Sequence, residues 1–230
     1  MDSNYYKKVI AKRGFISGVL VQVGNKLPIK VSQRIAIAGN RIELGGWYRR
    51  FEKVEVFKNR LDLIKYGCTL VNVDSIYLEF GVAWGNLLTF VVEESSGFKE
   101  FHGFDSFEGL PHPHDSRIHE KSFDLFGKMP SFDDPRVIIH KGLFSETLTG
   151  NENFLKNSKF IVSDCDLYTS TNEILEKIVP NLLPGDLLYF DDLHIPNQER
   201  LAVEKLLSSG LKVQMIGRSF EGRSALFVVI

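Results

Sequence analysis

The sequence predicts an α/β protein with an open, mostly parallel sheet that ends in an antiparallel hairpin. Three observations predict it. From about residue 76, apolar runs of strand length alternate with segments of helical period. Four apolar runs carry acidic residues at their C-terminal ends: Tyr77-Leu78-Glu79-Phe80-Gly81, Gly103-Phe104-Asp105-Ser106, Ser163-Asp164-Cys165-Asp166 and Tyr189-Phe190-Asp191-Asp192. The last two strand-like runs, residues 212–218 and 223–230, are joined only by Ser219-Phe220-Glu221-Gly222, which is too short for a parallel crossover and demands a hairpin.

The elements follow in order. Residues 19–23 and 27–31 flank Gly24-Asn25-Lys26, and residues 34–38 and 41–44 flank Gly39-Asn40. Both read as hairpins, so residues 1–50 are expected to be a β-rich extension making acceptor or oligomer contacts. From Phe51, apolar residues at 54, 57, 61 and 64 recur at helical intervals, with Gly67 as a C-cap. Residues 51–230 then form the main domain. Its strands are expected at 76–80, 100–104, 136–140, 159–163 and 186–190. Helices are expected at 86–94, from the capping box Ser170-Thr171-Asn172-Glu173, and at 197–208. Residues 106–135 hold four prolines and three histidines (His112, His114, His119). A connection of that length reads as a lid or binding loop.

The bulk properties exclude several classes. In 230 residues, no apolar run approaches the roughly 20 that a membrane helix needs. The first residues lack an apolar core, so no signal peptide is expected. Cys68 and Cys165 form no CxxC pair, which fits a reduced, cytoplasmic setting. Residues 1–70 carry 14 Lys/Arg against 5 Asp/Glu, and the remainder carries the opposite balance. The basic segment is read as docking on an acidic surface or a second subunit. A platform for an anionic substrate or a nucleic acid is the sharper alternative.

The strand ends carry the chemistry. In open α/β sheets ligands bind outside the carboxyl ends of the strands. Gly81 permits a tight turn, and Gly85 allows close backbone approach or helix packing. The middle glycine of a dinucleotide fingerprint is missing and Trp84 intrudes, so a pyrophosphate is disfavoured. The carboxylate of Glu79 suits a cationic, phosphate-free ligand such as S-adenosylmethionine. Asp105 follows Glu79 by 26 residues, the neighbourhood where a ribose-binding acid sits, and Ser106 adjoins it. Asp164, Asp191 and Asp192 fall one strand–helix–strand unit apart. Three close carboxylates repel one another unless protonated or bound to a cation, and hard oxygen donors favour Mg²⁺, Mn²⁺ or Ca²⁺ over zinc. The alternative is that Asp192 or Asp166 caps a helix and no metal binds. Strand alternation turns Asp166 away from Asp164. His194 is the histidine best placed to act as a base. Cys165, between two acids, is not a nucleophile.

These segments, with Phe104-Asp105-Ser106-Phe107-Glu108-Gly109-Leu110-Pro111, Lys141-Gly142-Leu143-Phe144-Ser145-Glu146-Thr147-Leu148 and Asp164-Cys165-Asp166-Leu167-Tyr168, resemble the macrocin O-methyltransferase (TylF/MycF-like) family over roughly residues 52–210. The resemblance implies a Rossmann-like class I methyltransferase with a seven-stranded sheet. It implies S-adenosylmethionine near Glu79, Gly81 and Asp105, with Gly142 and Leu143 by the adenine. It also implies Mg²⁺ on Asp164, Asp191 and Asp192, with Asp164 accepting the proton. The acceptor is expected to be a small hydroxyl compound, a sugar or glycoside, handled by a homo-oligomer away from membranes. The family usually opens with helices, whereas residues 15–50 read as hairpins. The rival expectations are a nucleic-acid-modifying protein and a non-catalytic cofactor-binding subunit.

Overall fold

The structure is a computed structural model that describes residues 19–20, 23–24, 26–111, 123–149, 152–157 and 159–230. The chain divides into two compact units, residues 1–43 and 44–230. The described residues of the first unit are helical apart from Leu27 and Pro28. Helix α1, Ile29–Tyr48, runs out of it, and its last turn buries Leu44, Trp47 and Tyr48 in the second unit. The β-rich N-terminal extension is therefore corrected. Residues 29–48 form one helix through Gly39-Asn40, and the described residues of the earlier expected hairpin form no strand and are helical apart from Leu27 and Pro28. The physical reason is an ambiguous period. Val31, Ile35, Ala38 and Ile42 fall at helical spacings of four, three and four, and Gln33, Arg34, Ala36 and Arg41 between them favour helix, as do Glu43 and Leu44 after them.

The second unit is an α/β/α sandwich on an eight-stranded sheet. Its strands are β1 Glu55–Phe57, β2 Ser75–Phe80, β3 Phe98–Asp105, β4 Val137–Lys141, β5 Lys159–Ser163, β6 Leu187–Phe190, β7 Val213–Ser219 and β8 Ala225–Val229. Their order is β1-β7-β8-β6-β5-β2-β3-β4. Only β8 runs antiparallel to its neighbours, β6 and β7. The mostly parallel sheet with its C-terminal hairpin is thus as expected, and the count of seven becomes eight. The extra strand is β1, three residues paired with the outer edge of β7. It interrupts the helix expected from Phe51, and α2, Arg60–Leu70, starts only after the Asn59 side chain accepts from the Asp62 amide. Gly67 does not end that helix. It lies inside α2, where a Cβ would come within 2.7 Å of the Phe160 ring, so its role is close helix–sheet packing.

The remaining helices are α3 Asn86–Glu94, α4 Phe144–Thr147, α5 Tyr168–Ile178 and α6 Glu199–Ser208. Helix α5 starts at Tyr168, ahead of the Ser170 capping box read from the sequence, and Ser170 is buried inside it. Strand alternation then divides the core. Ile76, Leu78 and Phe80 face α5, α6 and the end of α1, and Tyr77, Phe160 and Val162 face α2 and α3. β2 and β5 are buried along their whole length, as central parallel strands covered on both faces must be. A fully buried ion pair, Lys159 Nζ to Asp186 Oδ2 at 2.6 Å, ties the start of β5 to the turn before β6. Among the described residues no helix is long and apolar enough to cross a membrane.

Candidate active site

Sheet register builds the site. Phe80, Ser163 and Phe190 lie level on β2, β5 and β6, and Phe104 is level with Phe80 on β3. The next residue on each strand donates its amide to the last carbonyl of its neighbour. Gly142 N bonds Asp105 O at 3.0 Å, Gly81 N bonds Phe104 O at 2.9 Å, Asp164 N bonds Phe80 O at 2.9 Å and Asp191 N bonds Ser163 O at 3.1 Å. The result is a continuous staircase along the carboxyl edge that brings Gly142, Asp105, Gly81, Asp164 and Asp191 to one cavity of about 360 Å³. Glu79, Ser106, Leu143, Asp192 and Asp166 line the same cavity. Of the residues singled out from the sequence, Gly85 and His194 do not line it.

Gly81 is conformationally required. Its φ is +94°, and a Cβ would fall 1.9 Å from the Asp164 carbonyl oxygen. The turn beyond it is held by Asp105, whose Oδ2 accepts from Ala83 N at 2.8 Å and whose Oδ1 accepts from Phe107 N at 2.7 Å. Each carboxylate oxygen can accept twice, so Asp105 retains capacity for two further hydroxyl donors. Gly85 begins α3 with φ +78°, and a Cβ there would meet the Phe132 ring at 2.7 Å. Of its two expected uses, close packing is the one seen.

Two strands use the same device on opposite sides of β5. Tyr77 OH donates to Glu79 Oε2 at 2.7 Å, and Tyr189 OH donates to Asp191 Oδ1 at 2.6 Å. Residues i and i+2 share a strand face, so each hydroxyl lies beneath its carboxylate. Glu79 is fully buried and its Oε1 has no partner among the described residues. Burial, reinforced by Asp164, pushes its carboxyl up to about 8. An unpartnered buried acceptor in this cavity is what a ligand ammonium group would satisfy. Asp105, Glu79 and Gly81 therefore fit S-adenosylmethionine.

The acidic trio lines the same cavity. One oxygen each from Asp164, Asp191 and Asp192 lies within 4.8 Å of the others, and Asp191 and Asp192 are buried. Three hard oxygen donors at that separation fit Mg²⁺ or Mn²⁺. Burial and the Asp191 charge push Asp164 up to about 7. Burial also works to raise Asp192, but the nearby His194, a hydrogen bond from Asp166 and the Arg223 charge outweigh it and hold Asp192 below the ordinary carboxylate range. His194 Nδ1 stands 3.3 Å from Asp192 Oδ1 and does not line the cavity. Behind the trio, Glu199 accepts from Ser163 Oγ at 2.5 Å and from Asp192 N at 2.6 Å, bracing the ends of β5 and β6.

Three members escaped the sequence reading. Arg60, the first residue of α2, reaches Asp191 Oδ2 at 2.9 Å and Asp164 Oδ2 at 3.3 Å. Arg223, just before β8, reaches Asp192 Oδ1 at 2.6 Å. Asp166 is not turned away, because β5 ends at Ser163 and Asp166 takes a left-handed φ of +60°. It lines the cavity, and burial together with its hydrogen bond to Asp192 pushes it up to about 9. Only the basic count of residues 1–70 hinted at Arg60. His112, His114 and His119 lie outside the described residues.

Solved structures share this fold. CalS11, a calicheamicin methyltransferase, superposes with a TM-score of 0.51 at 20% identity, covering 94% of this chain and 92% of its own. The O-methyltransferase NovP superposes with a TM-score of 0.55 at 19% identity, covering 74% and 79%. At these identities the likeness shows the Rossmann-like methyltransferase fold. No curated protein matches the sequence significantly. Residues 13–214 match the family model described as macrocin O-methyltransferase (TylF), and the chain therefore belongs to that family of S-adenosylmethionine-dependent O-methyltransferases.

Proposed function

We propose that this enzyme methylates a hydroxyl of a small acceptor, a sugar or glycoside, with a divalent cation on Asp164, Asp191 and Asp192. The observation that carries the reading is the staircase of strand ends. It joins the Glu79–Asp105 side and the aspartate trio in one cavity sized for small molecules. CalS11, a TDP-rhamnose 3'-O-methyltransferase, and the O-methyltransferase NovP are similar to this chain in fold only. The sugar acceptor is therefore our extension of the family assignment.

In this reading S-adenosylmethionine would supply an electrophilic methyl group, and the cation would act as a Lewis acid that lowers the pKa of the acceptor hydroxyl. The chain supplies alignment. Asp105 fixes the ribose, Glu79 Oε1 and the Gly81 turn seat the amino-acid end, and Gly142 and Leu143 border the adenine. Asp164 is the least buried member of the trio and lines the cavity, so it would take the hydroxyl proton as the O–CH₃ bond forms and the S–CH₃ bond breaks. His194 touches Asp192 rather than the cavity, and its part is to hold that carboxylate in place. Positioning of donor, methyl and oxygen in line accounts for most of the rate.

The test is methyl transfer to nucleotide-linked sugars and glycosides, with Mg²⁺ and with excess chelator. We expect turnover only with the cation. Asp191→Ala should abolish it while S-adenosylhomocysteine affinity stays within about threefold of wild type. Equal turnover in chelator would remove the cation from the account.

A further inference from the structure

The three carboxylates are already occupied by cations of the chain itself. Asp191 Oδ1 accepts from Tyr189 OH at 2.6 Å and from Ser224 Oγ at 3.0 Å, which fills that oxygen. Only Oδ2 is left to face the cavity, and Arg60 Nη1 holds it at 2.9 Å while also holding Asp164 Oδ2 at 3.3 Å. Arg223 Nη2 sits 2.6 Å from Asp192 Oδ1 and 3.6 Å from Asp191 Oδ2. Mg²⁺ held by Asp164 and Asp191 would need Asp191 Oδ2 and one Asp164 oxygen at about 2.0–2.1 Å. A guanidinium nitrogen already within 3.3 Å of both lies in nearly the same place. Two cations so close repel strongly in a partly buried site. Arg60 is free to leave, because it begins its helix and its side chain is 39% exposed.

We propose that Arg60 is a positioning residue that stands in for the divalent cation. It pairs Asp164 with Asp191 in the metal-free enzyme and swings away when the cation binds. The proposal rests on the cation site described above. Two consequences follow. The trio does not repel itself open without metal, so folding is independent of the cation. Cation binding must displace a guanidinium, which makes it weaker than a bare three-carboxylate site would give.

The test is direct Mn²⁺ binding, read as loss of the free-ion electron paramagnetic resonance signal, on metal-stripped wild type, Arg60→Ala, Arg60→Lys and Asp191→Asn. Lys65→Ala, further along the same helix, is the control. We expect Arg60→Ala to bind Mn²⁺ at least tenfold more tightly than wild type. Arg60→Lys should fall between them, and Lys65→Ala should match wild type. Asp191→Asn should bind at least tenfold more weakly than wild type. If wild type binds Mn²⁺ and Arg60→Ala binds equally or less well, Arg60 supports the ligands instead of replacing the ion, and the proposal is overturned. If neither wild type nor Arg60→Ala binds Mn²⁺, the cation site itself is wrong and the proposal falls with it. Should Arg60→Ala be unfolded by circular dichroism, Arg60→Lys decides, since tighter binding supports the proposal and equal or weaker binding refutes it.

Discussion

Replacing Gly81 by alanine tests how the cavity is built. At φ +94° an L-residue is strained, by about 1–2 kcal/mol. The added Cβ would lie 1.9 Å from the Asp164 carbonyl oxygen, and contacts under 3.0 Å essentially never occur, so β2 and β5 must part by more than 1 Å at their carboxyl ends. Parting them strains or breaks the 2.9 Å bond from Asp164 N to Phe80 O. A buried group left unsatisfied costs about 1–3 kcal/mol. Together the loss should be about 2–5 kcal/mol, measured as a lower urea midpoint at unchanged slope. Gly97→Ala meets nothing within 4 Å and should stay within about 0.5 kcal/mol of wild type. Because the displaced residue is Asp164, methyl transfer should fall by about 10² even where the variant is folded. If Gly81→Ala were as stable and as active as Gly97→Ala, the staircase would not be what sets the site.

Two further predictions concern the scaffold. Lys159→Met leaves Asp186 buried and unpaired, so it should cost about 3–5 kcal/mol in urea unfolding. Adding Asp186→Asn should recover part of that by removing the stranded charge, and no recovery would mean that the pair acts through packing alone. The second concerns His102 and His140, whose rings meet at 2.9 Å between Nδ1 and Nε2. Burial lowers both, and His140, further lowered by His102, falls to about 4 from its ordinary 6.5. The unfolded chain then binds more protons than the folded one between those values, so the stability these rings contribute is present above pH 6.5 and lost as pH falls toward 4. The raised carboxyls of Glu79, Asp164 and Asp166 act in the opposite sense, which makes the difference from His140→Gln the informative quantity. That variant should lose less Tm between pH 7 and pH 5 than wild type does, and parallel curves would contradict the assignment.

Much of the site was legible because parallel strands deliver their C-terminal residues to one edge. Once 76–80, 159–163 and 186–190 read as strands, Gly81, Asp164 and Asp191 had to converge, whatever the loops did. The strands were readable because burial on both faces makes them short continuous apolar runs. What failed had no such signal. The N-terminal run fits both a two-residue and a helical period, and residue type favours the helix that forms. β1 is three residues long and exists only through its pairing with β7. Asp166 defeated strand alternation because the strand had already ended. Arg60 and Arg223 lie 104 and 59 residues from Asp164 in sequence, and nothing local distinguishes an arginine at a helix start from any surface arginine.

The account depends most on S-adenosylmethionine occupying the Glu79–Asp105 end of the cavity. Calorimetric titration with S-adenosylhomocysteine tests that directly, on wild type and on Asp105→Ala. We expect one equivalent per chain for wild type, with or without Mg²⁺, and at least tenfold weaker binding once the ribose acceptor is removed. Absence of binding to wild type, or equal binding by Asp105→Ala, would contradict the site as assigned.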